Sequence, residues 1–215
     1  MGKYKAYIFD LDGTLFDSMD VWDKVDRDFF AKRGLEMPPD YKSMIIPMNL
    51  QEAAVYTIGR FGLQEDPGDI VREWTSTAAA AYESAVRMKP HALEYLEALA
   101  GRGVKLAVAT SLPAELYAPA LRGNGVGHFF DAVASTTETG RGKSYPDVYL
   151  LAARKLGAEP GECVLFEDIL KGVISAKSIG MAVYGVYDKS SDGDWEKIKE
   201  IADGALADFR GAYDI

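Results

Sequence analysis

Four short apolar runs, residues 4–9, 104–109, 163–166 and 181–186, each stop at a polar residue and lead into a turn or helix signal. Runs this short, apolar at both odd and even positions, have no face to give to water, so the strands they form must be covered on both sides. Helical patterns at 113–122 and 146–156 and a weaker strand at 130–135 separate the second run from the third. Strands alternating with crossover helices predict an α/β fold, a doubly wound, Rossmann-like parallel sheet with helices on both faces.

One stretch breaks the alternation. Residues 17–88 read as successive helices, roughly 19–33, 50–61 and 68–86, with no convincing strand, which predicts an inserted all-α domain. Its aromatics Trp22, Phe29, Phe30, Tyr56, Phe61, Trp74 and Tyr82 are most simply its own core. The expected division is an α/β core made of residues 1–16 and 89–215, interrupted by 17–88, with hinges after Leu15 and at 88–90. A helix at 90–100, ended by Gly101 and Gly103, returns the chain to the sheet, and a short amphipathic helix at 194–202 packs near the end. A chain of 215 residues holds one sizeable core and a smaller insert, so one active site is the default expectation, in a monomer.

Charge narrows the partners. A formal net charge of -9 repels polyanions, which argues against nucleic acid or an anionic membrane surface and requires local cations or a metal wherever a small anion binds. No stretch supplies the ~20 apolar residues of a membrane span, and the expected location is the cytoplasm. The single cysteine, Cys163, has no internal disulfide partner and lies in the apolar run Cys163-Val164-Leu165-Phe166, where it reads as a small buried hydrophobe.

Residues capable of chemistry gather just after the apolar runs. Asp10 and Asp12 stand two apart beyond the first, with Gly13 permitting a sharp turn, and doubly wound sheets bind ligands outside the carboxyl ends of their strands. A calcium loop starting at Asp10 fails, because it would need Gly at Leu15 and Glu at Val21. After the second run, Thr110 and Ser111 precede Leu112-Pro113 at a helix start, a place that suits a phosphate or serves as a plain helix cap. Lys143, in Arg141-Gly142-Lys143-Ser144-Tyr145-Pro146-Asp147, precedes another helix, with Ser144 and Asp147 at capping-box-like spacing. An otherwise acidic site that holds a phosphate dianion needs such a fixed cation, and Arg141 is a second candidate. Glu167 and Asp168 end the third run, where a divalent cation would offset their desolvation; magnesium, which favours hard oxygen donors, fits. The small residues Gly172, Ala176 and Gly180 let the following helix approach the sheet closely.

In this order, Asp10-Leu11-Asp12-Gly13-Thr14-Leu15, Thr110, Lys143 with Pro146-Asp147, and Glu167-Asp168 with Gly172 and Gly180-Met181 resemble the haloacid dehalogenase superfamily, in its phosphatase and β-phosphoglucomutase-like branch. The place of the insert, directly after the first strand, is similar to that family's helical cap domain. The resemblance implies a phosphoric monoester hydrolase acting on a small phosphorylated metabolite. Asp10 would be the nucleophile, forming an aspartyl-phosphate, and Asp12 the general acid and then base. Thr110, Ser111, Lys143 and Asp12 would hold the phosphoryl group, and Mg2+ would sit on Asp10, the backbone carbonyl of Asp12, Glu167 and Asp168.

The chain also departs from the family's pattern. Ser144 stands where relatives often carry proline and Ile169 where they often carry serine, and neither is a charged catalytic position. The first helix of the insert lacks the histidine of β-phosphoglucomutases, and Ile45-Ile46-Pro47-Met48-Asn49-Leu50 replaces their glycine-and-arginine sugar loop, which argues against a sugar phosphomutase. The other readings weighed are a metal-free dehalogenase, opposed by Asp12 with Glu167-Asp168, and a non-catalytic module that binds a phosphometabolite.

Overall fold

The structure, a computed structural model, describes residues 4–215; residues 1–3, with which the expected core begins, lie outside the described residues. In chain order the elements are β1 (Ala6–Phe9), β2 (Phe16–Asp17), α1 (Met19–Lys32), α2 (Tyr41–Ile45), α3 (Leu50–Phe61), α4 (Pro67–Ser84), β3 (Arg87–Met88), α5 (Ala92–Gly101) and β4 (Lys105–Thr110). They continue with α6 (Ala114–Gly123), β5 (Ala132–Ser135), α7 (Thr136–Thr139), α8 (Asp147–Leu156), β6 (Cys163–Glu167), α9 (Leu170–Ser178), β7 (Ala182–Val186), α10 (Trp195–Ile201) and β8 (Gly204–Leu206).

Six strands pair in the order β5-β4-β1-β6-β7-β8, every pair parallel. Side chains of a strand alternate between faces, and β1 uses both. Ala6 and Ile8 pack with Val148 and Ala152 of α8 and Val173 of α9, whereas Tyr7 and Phe9 pack with Tyr95, Leu96 and Leu99 of α5. Phe9 stacks on Phe166 of the next strand with ring centroids 4.8 Å apart. This double coverage is why the first run carries no polar alternation. It also places the carboxyl end of β1 between those of β4 and β6, so Asp10, Thr110 and Glu167-Asp168 emerge side by side.

The helices α1 to α4 lie between β2 and β3, two-residue strands that pair antiparallel with Phe16 opposite Met88 and Asp17 opposite Arg87. A further bond from the Lys89 N–H to the Leu15 carbonyl, 2.8 Å, ties the two connecting segments together. Helix α3 begins with a capping box in which the Asn49 side chain accepts from the Glu52 N–H and Glu52 accepts from the Asn49 N–H. Helix α4 begins at Asp66 and Pro67, a cap followed by the first-turn proline that helix starts favour.

Several expectations are corrected. The insert does have strand at its borders, because β2 and β3 are too short to carry any alternation. An added edge strand, β8, follows the terminal helix. Helix α8 starts without the expected side-chain cap from Ser144: its cap residue is Pro146 and no side chain bonds there. Gly180 lies beyond the end of α9 in a left-handed turn, φ 79°, so it ends the helix instead of packing it on the sheet. Gly172 does serve close approach, since a Cβ there would meet the Tyr149 hydroxyl and the Glu167 side chain.

Candidate active site

The turn after β1 is folded by its own backbone. The Asp10 N–H donates to the Phe166 carbonyl at 3.1 Å, extending the β1–β6 ladder, and the Phe16 N–H reaches back to the Leu11 carbonyl at 2.7 Å. Gly13 takes φ 78°, and a side chain there would collide with the Asp168 carboxylate. Thr14 donates its hydroxyl to Asp168 Oδ1 at 3.1 Å. The DLDGT segment and the end of β6 are therefore built against one another.

Lys143 arrives from the loop between α7 and α8 and is 1% exposed. Its ammonium lies 2.5 Å from Asp10 Oδ1 and 2.8 Å from Glu167 Oε2. Burial works against the charge, but Asp10 and Glu167 outweigh it and hold the ammonium firmly protonated. The same burial raises the Asp10 carboxyl well above the usual carboxylate range, with Lys143 opposing and Glu167 and Asp168 reinforcing the rise.

Glu167 is saturated. Oε2 accepts from Lys143 and, at 2.9 Å, from the Tyr149 hydroxyl; Oε1 accepts from the N–H groups of Asp168 and Ile169 at 3.2 and 3.1 Å. Those four bonds match the acceptor capacity of a carboxylate, so Glu167 fixes Lys143 and the loop after β6. Asp168 keeps room: among the described residues its side chain accepts only from Thr14 and, at 3.3 Å, from Ser191. Burial, then the neighbouring Glu167, raises its carboxyl to about 7.

Three buried carboxylates share one ammonium here. Asp10, Glu167 and Asp168 can each bring an oxygen within 4.8 Å of the others, and Asp10 Oδ2 is buried with no hydrogen-bond partner among the described residues. An orphaned anionic oxygen beside uncompensated negative charge suits a hard divalent cation. The donor set fits magnesium, with Asp10 and Asp168 as the carboxylates free to hold it.

Asp12 is half-buried at the cavity wall, and the inserted helices hold it. Ser18 donates to Oδ1 at 2.5 Å, the Tyr82 hydroxyl of α4 donates to the same oxygen, and the Trp22 indole N–H donates to the Tyr82 hydroxyl at 2.8 Å. Burial raises the Asp12 carboxyl; the bonds from Ser18 and Tyr82 pull it back. One carboxylate oxygen is thus fixed. Trp22 and Tyr82, expected as plain core, support the site.

Thr110 is buried at the end of β4, and its hydroxyl oxygen accepts from the Leu112 N–H at 3.1 Å. Ser111 lines the cavity with a buried hydroxyl that has no partner among the described residues. The plain-cap reading of this pair fails, because the cap residue of α6 is Pro113. Arg141 stands apart, its guanidinium 4.8 Å from the centre of the Tyr145 ring.

Asp10, Asp12, Ser111, Lys143 and Asp168 open onto one cavity of about 640 Å³, closed on its far side by α1, α2 and the start of α3. Ile45, Ile46 and Met48, from the segment that stands in place of the sugar loop, line it. The inserted helices touch the core through Glu52, which accepts from the Gly142 N–H at 3.0 Å, one residue before Lys143. Lys89, at the border of the insert, pairs with Asp188 at 2.7 Å on the cavity rim. Glu52, Lys89, Tyr149 and Asp188 were not among the expected site residues, since partners so distant in sequence leave no local pattern.

A family model described as haloacid dehalogenase-like hydrolase matches residues 4–180. The chain is 30% identical over 183 residues to the fructose-1-phosphate phosphatase YqaB of Escherichia coli, covering 83% of this chain and 94% of that one. It is 27% identical over 190 residues to a phosphorylated carbohydrates phosphatase of Thermotoga maritima, covering 88% of each. Among solved structures, CbbY of Rhodobacter sphaeroides in complex with phosphate superimposes with a TM-score of 0.81 at 24% identity, covering 96% of this chain and 95% of that one. A β-phosphoglucomutase of Clostridium difficile superimposes with a TM-score of 0.83 at 18% identity, covering 97% and 92%, a likeness of fold. The matched residues run from the start of β1 past Asp10, Lys143 and Asp168, and the chain belongs to the haloacid dehalogenase-like hydrolase family.

Proposed function

We propose that the chain is a magnesium-dependent phosphatase that hydrolyses the monophosphate ester of a small metabolite through a phosphoryl-aspartate formed on Asp10. The observation that carries this reading is the bridge of Lys143 between Asp10 and Glu167, with the second Asp10 oxygen unpartnered, beside an Asp12 that is held through one oxygen only. The substrates named for the relatives, fructose 1-phosphate and phosphorylated carbohydrates, support a small sugar or polyol phosphate.

Magnesium, held by the carboxylates of Asp10 and Asp168 and the Asp12 carbonyl, would neutralise charge on the phosphoryl oxygens. Asp10 attacks phosphorus with one carboxylate oxygen while Lys143 fixes its position. The bond from phosphorus to the ester oxygen breaks, and Asp12 delivers its proton to that leaving oxygen. Asp12, now a carboxylate, takes a proton from water as water attacks the phosphoryl-aspartate, which releases phosphate and restores both side chains. Lys143, Thr110 and Ser111 hold the phosphoryl oxygens throughout, and such prepaid positioning is the main source of rate in phosphoryl transfer. Residues 17–88 act as a cap over a core of 1–16 and 89–215, and its helices place Ser18, Trp22 and Tyr82 on Asp12, so acid catalysis is complete only when the cap is seated.

The test is phosphate release from sorbitol 6-phosphate and p-nitrophenyl phosphate with and without magnesium, run beside interconversion of hexose 1- and 6-phosphates. Magnesium-dependent release supports the reading. Interconversion without release replaces it with a mutase, and neither reaction refutes it.

A further inference from the structure

The cap wall of the cavity holds a carboxylate that this mechanism leaves unused. Asp26 lines the cavity from α1 and is 7% exposed, yet among the described residues it takes no hydrogen bond and forms no ion pair. Buried carboxylates ordinarily collect donors, because an unpaired buried charge is costly. The charged groups nearest it are Asp23 and Arg27 on its own helix and Lys42 of α2, and the Lys42 ammonium is committed to Asp23. Tyr41 of α2 is also near, but its hydroxyl bonds to Thr57 at 2.8 Å.

A second unmatched group stands on the same wall. Trp74 of α4 lines the cavity, and its indole N–H is buried without a partner. Phe29, one turn along α1 from Asp26, packs against the Trp74 ring with centroids 5.4 Å apart, so the two orphans belong to one patch. One is an acceptor and the other a donor. Of the two, Asp26 is the one open to a ligand: the Trp74 N–H has no exposed surface, so a hydroxyl in the cavity reaches only the carboxylate, to which it donates.

Charge excludes another class. Among the described residues, the cap side of the cavity carries Asp17, Asp20, Asp23 and Asp26 against Lys42 alone, so a second phosphate at that end meets net negative charge. Burial raises the Asp26 carboxyl to about 6, so at neutral pH it is an anion that gains from any donor brought to it.

We propose that this wall is the subsite for the far end of the leaving group, where Asp26 accepts a hydrogen bond from a hydroxyl of a neutral polyhydroxy alcohol, so that the substrate is a polyol monophosphate and not a bisphosphate. The proposal rests on the phosphatase reading above and adds to it the residue that selects the alcohol.

The experiment compares kcat/KM of the magnesium-loaded wild-type enzyme and Asp26→Asn on sorbitol 6-phosphate, p-nitrophenyl phosphate and fructose 1,6-bisphosphate. The wild type is expected to prefer sorbitol 6-phosphate to the bisphosphate. In Asp26→Asn the ratio of kcat/KM for sorbitol 6-phosphate over p-nitrophenyl phosphate falls about tenfold or more, the scale expected for one hydrogen bond to a charged acceptor. The ratio for the bisphosphate over sorbitol 6-phosphate rises. Asp26→Ser repeats the comparison and must shift both ratios the same way. Ratios unchanged within about twofold in both variants overturn the subsite while leaving the phosphatase reading standing. A wild type that releases phosphate from none of the three overturns the phosphatase reading, and the subsite with it.

Discussion

The ammonium of Lys143 sits 2.5 Å from the carboxylate of Asp10, and neither side chain is more than 2% exposed. A fixed cation beside the proposed nucleophile opposes the rise that burial imposes on the Asp10 carboxyl, and lets an anion approach an anionic phosphate.

Lys143→Met removes that cation and leaves Asp10 and Glu167 facing each other in the interior. Truncating one partner of a buried ion pair costs about 3–5 kcal/mol, and losing one electrostatic donor costs about 10²–10³ in kcat. Denaturant unfolding and steady-state kinetics on the same sample read both losses. A variant with native stability and more than about a tenth of the turnover shows that the bridge is dispensable.

On the proposed reading magnesium is held through Asp168, and its addition is expected to raise the melting temperature by an amount equivalent to about 2.7 kcal/mol at a hundredfold excess over the dissociation constant. Asp168→Asn keeps the shape and the neighbouring Thr14 but loses the charge, and its melting curve is expected not to respond to magnesium. Without the metal the variant is no less stable than the wild type, because one buried carboxylate no longer opposes its neighbours. A magnesium shift of equal size in both proteins would place the metal elsewhere.

Tyr82→Phe keeps the ring in the cap core and removes only the hydroxyl that donates to Asp12. Turnover falls about tenfold or more while the melting temperature moves by only a few degrees, since one hydrogen bond contributes about 1 kcal/mol to stability. Equal turnover in the variant would show that Ser18 alone suffices to orient the acid.

Asp26 gives a pH dependence whose sign is fixed by burial. Its carboxyl is raised from 3.8 to about 6 in the folded chain, with Lys42 and Arg27 opposing and Asp23 adding to the rise. The stability contributed by protonation is therefore fully present below about 3.8 and lost as pH rises through about 6. Asp26→Asn escapes this loss, so its stability relative to the wild type improves between pH 4 and pH 7 by about 2–3 kcal/mol. Denaturant unfolding at the two pH values measures it, and a difference that does not change with pH contradicts the placement of Asp26.

Asp10, Asp12, Glu167 and Asp168 were legible because each stands at or just beyond the end of an apolar run, and Lys143 because an otherwise acidic site for a phosphate needs a fixed cation. The parallel sheet covered on both faces followed from the same runs. What escaped was cooperation over distance. Tyr82 sits at a helical spacing that serves core and catalysis equally, and only the fold brings it 70 positions back to Asp12. The saturation of Glu167 needed Tyr149 and the backbone of Asp168 and Ile169, which no spacing announces. The paired two-residue strands at the cap border and the edge strand β8 are too short for any pattern.

The most direct test of the account is acid quenching of the enzyme during turnover of sorbitol 6-phosphate with magnesium, followed by mass spectrometry of the peptide that carries Asp10. The account predicts one added phosphoryl group on Asp10, absent from Asp10→Asn together with turnover. Turnover retained by Asp10→Asn, or a phosphoryl group found on another residue, would contradict it.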